Sequence, residues 1–462
     1  MAGGSLEDTA QNGRLASTGF TEGEISAHVI RLSGFMIMGF LAMTLAQLVE
    51  AVYLGSIGTN ELAAIAFSFP VVMALNAATR GLGIGAGAVL ARAIGAGDRE
   101  RAALLATHCL ILVVLFTLGC VLVGLWLVES LFSVMGARDE VHGLAVSYFS
   151  IWLIGFPAFG LAMVGSGLMR AIGDAAYPGY VMTVGSVIQV VIGPFLIFGW
   201  MGIPELGIAG AAWAFVVARA CSFAMTAHWF FLRERIVRNQ ITGFLESTRS
   251  ILHVGIPAGA TNLIQPLSYA VITWILAGFG TSVVAGFGVA SRLDSVVTMV
   301  VIGISASAAP LVGQNWGARL FERVRLALKL CYRYCLIWGV VAAVLMWVGG
   351  EFFVRLINED PEVVATATSY LYIVPISIGF MGMMNVANAS FNALSKPMPP
   401  LILSLLRMLV VYIPLAIVAG RLYGYVGVFV VTTFTNVLVG LAAWRWNEST
   451  ITSEQARLRP LA

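Results

Sequence analysis

The chain has 462 residues, of which 59% are hydrophobic and only 11% are charged, and its mean hydropathy is +0.91. No soluble domain could bury that much apolar surface, so a lipid bilayer has to cover much of it. The formal net charge is only +3, and the basic residues lie in short loops, so no nucleic-acid partner is expected.

Hydrophobic runs of about 20 residues or more predict membrane-spanning helices, because that length crosses the hydrocarbon core. These runs are too long and too uniformly apolar for the alternating strands of a membrane barrel. The predicted fold class is an all-α polytopic membrane protein. Twelve spans are predicted, at about 27–53, 60–91, 103–127, 143–169, 179–199, 207–231, 251–278, 283–312, 327–348, 364–393, 399–420 and 424–445.

The loops differ in charge on the two sides of the predicted spans. The loops after spans 2, 4, 6, 8 and 10 and the two tails hold most of the basic residues, whereas the opposite loops are mainly acidic. Cytoplasmic loops are enriched in Lys and Arg, so both termini are expected in the cytoplasm of a multi-pass protein of the bacterial inner membrane. The predicted parts are an N-terminal tail (1–26), an N-lobe (27–232), an inter-lobe loop (233–250), a C-lobe (251–446) and a C-terminal tail (447–462).

The second half of the chain repeats the first half 222 residues later. Each half has six spans and so enters the membrane from the same side. This predicts two six-helix lobes related by a pseudo-two-fold axis along the membrane normal. The recurring residues include Leu54, Gly58, Gly81, Gly95, Arg101 and Tyr148, matched by Leu276, Gly280, Gly303, Gly317, Arg323 and Tyr370.

Enzymatic and ATP-driven functions are not favoured. The only lysines are Lys329 and Lys396, and neither follows a glycine, so the chain has no Walker A motif. It also lacks a His-Glu-x-x-His pair and a convincing nucleophile–base arrangement. No enzymatic activity, cofactor or metal site is expected, and an ion gradient would have to drive any uphill transport.

Several motifs resemble those of multidrug and toxic-compound extrusion (MATE) transporters. They are Leu54-Gly-x-x-Gly58 with Glu61-Leu-Ala-Ala64, Ala93-Ile-Gly-Ala-Gly-Asp98, Leu206-Gly-Ile-Ala-Gly-Ala-Ala212 and Val312-Gly-Gln-Asn-Trp-Gly-Ala318. The resemblance covers roughly residues 27–446. It implies twelve helices in two lobes, a V-shaped cavity, and export of amphiphilic, often cationic, small molecules in exchange for H+ or Na+. The expected partners are these substrates and the bilayer, and a monomer is expected.

Ionisable side chains within the spans are the candidates for ion coupling, because burying them in hydrocarbon is costly. Glu50 lies on a polar stripe of span 1 with Gln47 and Thr44, and it is similar to the family's cation-coupling carboxylate, often an Asp. The alternative is an interfacial Glu that reaches water. Asp294 in span 8 is a second candidate for ion coupling or substrate binding, and a structural role is equally compatible with the sequence.

The chain departs from the family at its other known ion-site positions. Gly193 stands where one branch has an Asp before the span-5 proline, and Phe215 replaces a Thr of the same network. Gln265 stands where another branch has a Glu, and that branch's span-10 Asp falls near Met381. Coupling is therefore predicted to depend on Glu50.

Amides and methionines within the spans are predicted to contact substrate, although each could instead join helices. Arg80 and Arg407 are predicted to tune a neighbouring charge, and a structural role or snorkelling is favoured for both. The predicted cavity residues are Gln47, Asn76, Gln189, Asn262, Gln265, Met381, Asn385 and Asn388.

Two alternatives remain open from the sequence. A lipid-linked oligosaccharide flippase would need more cavity cations than the spans offer, chiefly Arg80, Arg292 and Arg407. A non-transporting receptor or scaffold on the same fold is compatible with the incomplete ion site. The duplication does not extend to the candidate carboxylates, because Ile272 and Val72 occupy the positions equivalent to Glu50 and Asp294.

Overall fold

The computed structural model describes residues 19–202, 204–238 and 240–458, and the regular structure of these ranges is helical. The helices are α1 (Ile25–Gly55), α2 (Thr59–Gly95), α3 (Arg99–Val134), α4 (Asp139–Ile172), α5 (Tyr177–Phe198), α6 (Gly207–Ala227), α7 (Phe244–Ala277), α8 (Thr281–Gly317), α9 (Phe321–Ile357), α10 (Pro361–Ile373), α11 (Ile378–Ala393), α12 (Met398–Leu405) and α13 (Ile413–Leu458). Short 3-10 segments lie at Trp200–Gly202 and Val374–Ser377, and π-helical segments at His228–Arg233 and Leu406–Tyr412. The predictions for residues 1–18 and 459–462, the outer parts of the two tails, lie outside the described residues.

These helices make twelve membrane crossings. Ten helical segments of the described chain are long and apolar enough to cross a membrane, and one of them, Met398–Leu458, is 61 residues long. That segment reverses at Gly424, whose φ of 66° and ψ of −157° break the helix, so it crosses twice. The twelfth crossing is α7, whose hydropathy is lowered by polar residues such as Asn262 and Gln265. The predicted all-α fold with twelve spans is confirmed.

The contacts between the two lobes repeat with the offset of the sequence duplication. A Cβ placed on Gly95 of α2 would overlap the carbonyl oxygen of Gln314 in α8. The same construction on Gly317 of α8 would overlap the carbonyl oxygen of Arg92 in α2. Gly95 and Gly317 are 222 residues apart, as are Arg92 and Gln314, so the two contacts are equivalent. The pseudo-two-fold axis therefore passes between α2 and α8.

A second equivalent pair of contacts joins α2 to α7 and α8 to α1. A Cβ on Gly81 would overlap the carbonyl oxygen of Gly255, and a Cβ on Gly303 would lie 3.3 Å from the carbonyl oxygen of Ser33. Gly81 and Gly303 are 222 residues apart, as are Ser33 and Gly255, so these two contacts are also equivalent. Only glycine allows the backbones of α2 and α7 to approach this closely. We call this backbone contact of α2 with α7 and α8 the glycine seam.

The lobes meet at one end of the molecule and separate at the other. The seam lies toward the end that carries the basic loops, called here the basic end. There Gln314 also donates a hydrogen bond across the lobes to the carbonyl oxygen of Ala171, at 2.7 Å. At the acidic end, the N-lobe core formed around Phe132, Phe149 and Trp152 draws its buried members from residues 54–212 alone. The space between the lobes therefore opens toward the acidic end.

Residues 19–24, part of the predicted N-terminal tail, are fixed to the basic end of the C-lobe. Phe20 is 2% exposed, and its backbone N–H donates to the side chain of Gln314 at 2.7 Å. Arg323 donates to the carbonyl oxygens of Phe20, Glu22 and Gly23 at 3.0–3.2 Å. The segment before α1 thus closes over the seam and strengthens the closed end.

Large apolar side chains remain exposed on the outer helices. Trp126 of α3 is 81% exposed, and Val348, its repeat partner in α9, is 83% exposed. A water-soluble protein would bury such residues, whereas a bilayer covers them without cost. The exposed apolar surface of the two lobes is therefore the lipid-facing surface.

Candidate substrate cavity and coupling site

A cavity of about 820 Å³ lies between the two lobes, lined by α1, α2, α4, α5 and α6 on one side and α7, α8, α10, α11 and the helices after them on the other. Its volume is in the range of pockets that enclose whole drug-sized molecules. Equivalent positions of the repeat, such as Val72 and Asp294, or Glu50 and Ile272, face the same space. The cavity is therefore the place where the symmetric scaffold presents different side chains.

All of the predicted site residues lie on the wall of this cavity, while their individual roles stay predictions. Glu50 and Arg80 lie on the N-lobe side, and Asp294 and Arg407 on the C-lobe side. The predicted substrate contacts on the wall are Gln47, Asn76, Gln189, Asn262, Gln265, Met381, Asn385 and Asn388.

A chain of two hydrogen bonds links Glu50 to a cation that the sequence analysis did not identify. The side-chain amide of Gln189 donates to Glu50 Oε2 at 2.8 Å. Arg219 Nη2 of α6 donates to the amide oxygen of Gln189, also at 2.8 Å. The Gln189 amide orientation is the one in which both bonds form. Gln189 thus connects a carboxylate to a guanidinium across three helices.

The space of the missing second carboxylate is filled by an aromatic ring. A Cβ on Gly193 would lie 3.4 Å from the ring of Tyr53, so a longer side chain at position 193 would meet that ring. A small void of about 10 Å³ remains between Glu50, Gln189 and Tyr53, about the volume that one water molecule needs. The N-lobe site therefore holds one carboxylate, one guanidinium and room for water.

Phe215, the replacement for the family's Thr, belongs to an aromatic wall of the cavity. Its ring stacks on Trp152, with centroids 5.2 Å apart and planes 18° apart, and its centroid lies 6.0 Å from that of Phe159. Gly155 leaves room for it, since a Cβ there would lie 3.1 Å from the ring. Arg219 lies 5.4 Å from the Phe215 centroid, a cation–π contact. We call Trp152, Phe159 and Phe215 the aromatic wall.

The C-lobe carboxyl has a different environment. Asp294 is 7% exposed and lies beside Tyr370. The hydroxyls of Thr298 and Tyr370 lie close to its carboxyl group, while within the described ranges its buried Oδ1 accepts no hydrogen bond of good geometry. Arg292 is exposed and is not part of the cavity wall, so it does not neutralise Asp294. An unpartnered buried acceptor is what a ligand with a donor group or a proton can satisfy.

Arg407 is held by a polar chain within the C-lobe. Its Nη2 donates to Asn436 Oδ1 at 2.7 Å, and the Asn436 amide donates to the hydroxyl of Ser377 at 2.9 Å. Arg407 is therefore fixed by amide and hydroxyl groups, in line with the structural role favoured for it, while its guanidinium still lines the cavity.

The prediction that the cavity has few cations, chiefly Arg80, Arg292 and Arg407, is wrong. Arg170 and Arg219 line it and Arg292 does not. Arg219 could have been noticed as a charge in the middle of span 6, whereas Arg170 lies just beyond the predicted end of span 4. Among the residues that the structure describes, four arginines and two carboxyl groups face the cavity. The argument against a phosphate-bearing substrate, such as that of a flippase, therefore fails.

Arg219 provides a direct test of the Glu50–Gln189–Arg219 chain. We expect Arg219→Gln to reduce gradient-driven efflux roughly tenfold or more, because a charge-assisted hydrogen bond and the countercharge of Glu50 are lost. Arg219→Lys should retain part of the activity. Efflux from energised vesicles measures both, and the double variant with Glu50→Gln should be no worse than Glu50→Gln alone. Full coupling in Arg219→Gln would contradict the chain.

Both halves of the chain match the same known protein family. The family model described as MatE matches residues 36–195 and 257–418. The two segments begin and end, to within one residue, at positions that correspond under the 222-residue duplication. Each repeat of the chain is therefore one unit of this family.

Similar proteins match along nearly the whole chain. A Shewanella oneidensis protein named FAD transporter is 29% identical over 429 residues, which cover 92% of this chain and 95% of the relative. A Bacillus subtilis protein named probable multidrug resistance protein YoeA is 25% identical and covers 90% and 93%. The crystal structure of the Vibrio cholerae MATE transporter VcmN in its bent form has a TM-score of 0.89 at 28% identity, covering 94% and 99%.

Proposed function

Because the chain belongs to the MatE family of membrane transporters, we propose that it is a secondary active exporter of amphiphilic compounds that works by alternating access. The observation that carries the proposal is the cavity that opens between the lobes with the Glu50–Gln189–Arg219 chain on its wall. A cavity closed at one end by a separable contact between lobes is what alternating access requires.

The orientation of the cavity supports an exporter in its outward-facing state. The closed end carries the basic loops, and basic loops favour the cytoplasm. The open acidic end then faces the outside of an inner membrane. We propose that the second state opens the basic end by separating the glycine seam.

We propose the proton as the coupling ion. Glu50 is linked through one amide to Arg219, and a guanidinium this close repels Na+. A proton needs only the carboxyl group and access to water, which the adjacent void offers. Proton binding at Glu50 from outside would then alternate with substrate binding from inside. Asp294 is a second candidate for protonation or substrate contact.

The cavity supports aromatic substrates more strongly than cationic ones. The aromatic wall offers ring surfaces for stacking, and the arginines on the cavity wall outnumber the carboxyl groups. The Shewanella oneidensis relative is named FAD transporter, and FAD combines a planar flavin ring with phosphate groups. Flavins are therefore the first compounds to test beside cationic dyes.

Proteoliposomes loaded with a flavin or with ethidium test the proposed function. We expect efflux that follows an imposed pH gradient and is indifferent to an imposed Na+ gradient. Efflux that follows Na+ alone would contradict proton coupling. If neither the flavin nor ethidium is transported, the proposed export of amphiphiles is contradicted. Movement of lipids between the two leaflets of the same vesicles would instead favour a flippase.

Asp294→Asn should alter substrate range more than coupling. The change removes a charge from the C-lobe wall but leaves the Glu50 chain intact, so the proton dependence of efflux should persist. We expect efflux of cationic dyes to fall severalfold, because the substitution removes one of the two cavity carboxyls. Comparison of ethidium and flavin efflux by the same variant measures this. Loss of proton dependence for both substrates would place Asp294 in the coupling step instead.

A further inference from the structure

Two cavity arginines on the N-lobe wall have no acidic partner. Arg80 of α2 is exposed to the cavity, and in the described part of the chain it makes no hydrogen bond or ion pair. Arg170 of α4 donates only to the thioether sulfur of Met36, at 3.5 Å, among the residues described. A cation held within the membrane-spanning part of a protein without a counterion is costly. These two guanidinium groups therefore have unused capacity to bind an anion.

Arg80 and Arg170 flank one small patch where α2 faces α4. A Cβ on Gly167 would lie 3.5 Å from the carbonyl oxygen of Gly83 and 3.7 Å from Arg170 Nη2. Arg80 precedes Gly83 by three residues, one helical turn or about 4.5 Å along α2. The two arginines therefore lie on either side of this glycine contact, and both line the cavity.

The repeat shows that the fold does not require charge at these positions. With the 222-residue offset, Ile302 corresponds to Arg80 and Asn392 to Arg170. Both equivalents line the same cavity, on helices that repeat the packing of α2 and α4. Since the C-lobe forms the same scaffold with an aliphatic and an amide side chain, the two arginines serve something other than packing.

We propose that Arg80 and Arg170 form a subsite for the phosphate ester group of an amphiphilic substrate, with the aromatic part against the aromatic wall. The inference rests on the proposed function in that it takes the cavity as the substrate site. Two guanidinium groups bind a phosphate through several charge-assisted hydrogen bonds. Phe159 lies on α4 eight residues before Gly167, about 12 Å toward the acidic end, so ring and phosphate can be held together.

Riboflavin and FMN, which differ only in a phosphate group, test this subsite, and FAD adds an adenosine to the comparison. Binding of riboflavin, FMN and FAD to the purified protein in phosphatidylcholine nanodiscs is followed by quenching of flavin fluorescence. We expect FMN and FAD to bind the wild type at least about tenfold more tightly than riboflavin. Equal affinity for riboflavin and FMN would overturn the proposal.

The repeat supplies the matched variants. Arg80→Ile and Arg170→Asn place in the N-lobe the residue that the C-lobe uses at the same position, so both should fold. We expect each to lose the preference for FMN while riboflavin affinity stays unchanged. Arg292→Gln, which removes an arginine outside the cavity, should keep the preference. An FMN preference that survives in both cavity variants would overturn the proposal.

A lipid phosphate could occupy the same subsite, and a second arm distinguishes it. If the natural ligand is a lipid phosphate, phosphatidic acid added to the nanodiscs should weaken FMN binding to the wild type by competition. It should not weaken FMN binding to Arg80→Ile. Absence of competition assigns the subsite to a water-soluble phosphate ester. The protein could show the predicted preference for FMN in binding and yet transport nothing in proteoliposomes. That result would contradict the proposed export but would still support the phosphate subsite.

Discussion

Glu50→Gln is expected to abolish gradient-driven efflux while leaving expression and substrate binding close to the wild type. The substitution keeps the size of the side chain and an oxygen that can accept the hydrogen bond from Gln189, now 2.8 Å long. It removes the group that binds and releases a proton, so the variant resembles a permanently protonated carrier. Efflux in energised vesicles should fall to the level of vesicles without the protein.

A matched control separates loss of coupling from loss of a charge in general. Glu129 is an exposed carboxylate at the acidic end of α3, and Glu129→Gln makes the same chemical change outside the cavity. We expect that variant to transport normally. Undiminished gradient-driven efflux by Glu50→Gln would exclude Glu50 as the coupling residue. Asp294 would then be the remaining candidate for ion coupling.

Gly95→Leu is expected to prevent closure of the basic end and so to stop transport. A side chain at this position would overlap the carbonyl oxygen of Gln314, and because the obstacle is backbone, the neighbour cannot turn away. Overpacking of this kind typically costs about 1–3 kcal/mol, roughly a five- to 150-fold change in the equilibrium between the closed and open states. The lobes themselves should stay folded, since each contains a core cluster made only of its own residues.

Distances between spin labels at Arg99 and Glu322, the first turns of α3 and α9, measure opening of the basic end. We expect the distribution in Gly95→Leu to move to longer distances while thermal stability changes little. Gly119 of α3 has open space around it, so Gly119→Leu is a control with the same added volume. An unchanged distance distribution in Gly95→Leu would show that the seam can absorb the side chain.

The architecture was predictable because hydropathy and duplication act over long segments. Twenty-residue apolar runs locate spans regardless of detail, and the 222-residue offset requires equivalent lobes. The offset even predicts which contacts recur, as Gly95 with Gln314 and Gly317 with Arg92 show. Boundaries were less predictable: α13 continues to Leu458, past the end of the last apolar run, with Asn447 buried in it.

The charges of the cavity were only partly predictable. The sequence singles out Glu50 as an acid in an apolar helix, but it does not show that Gln189 would link it to Arg219. That link depends on the rotation of α1, α5 and α6 about their axes, which tertiary packing determines. Arg170 was missed for a related reason, because a basic residue at the end of an apolar run usually reaches the interface. The structure instead turns it inward, toward Gly167.

The glycine seam also bears on electrical insulation. A water-filled cavity exposed at the acidic end is separated from the other side of the membrane only by the contact at the basic end. Along Gly81, Gly85 and Gly255 that contact is backbone against backbone, so no long side chain there can swing aside and admit a file of water molecules. Proton conduction through a protein needs such a file. Because the seam has no side chains, the helices can separate fully when the basic end opens. When the basic end is closed, the same contact prevents protons from leaking down their gradient.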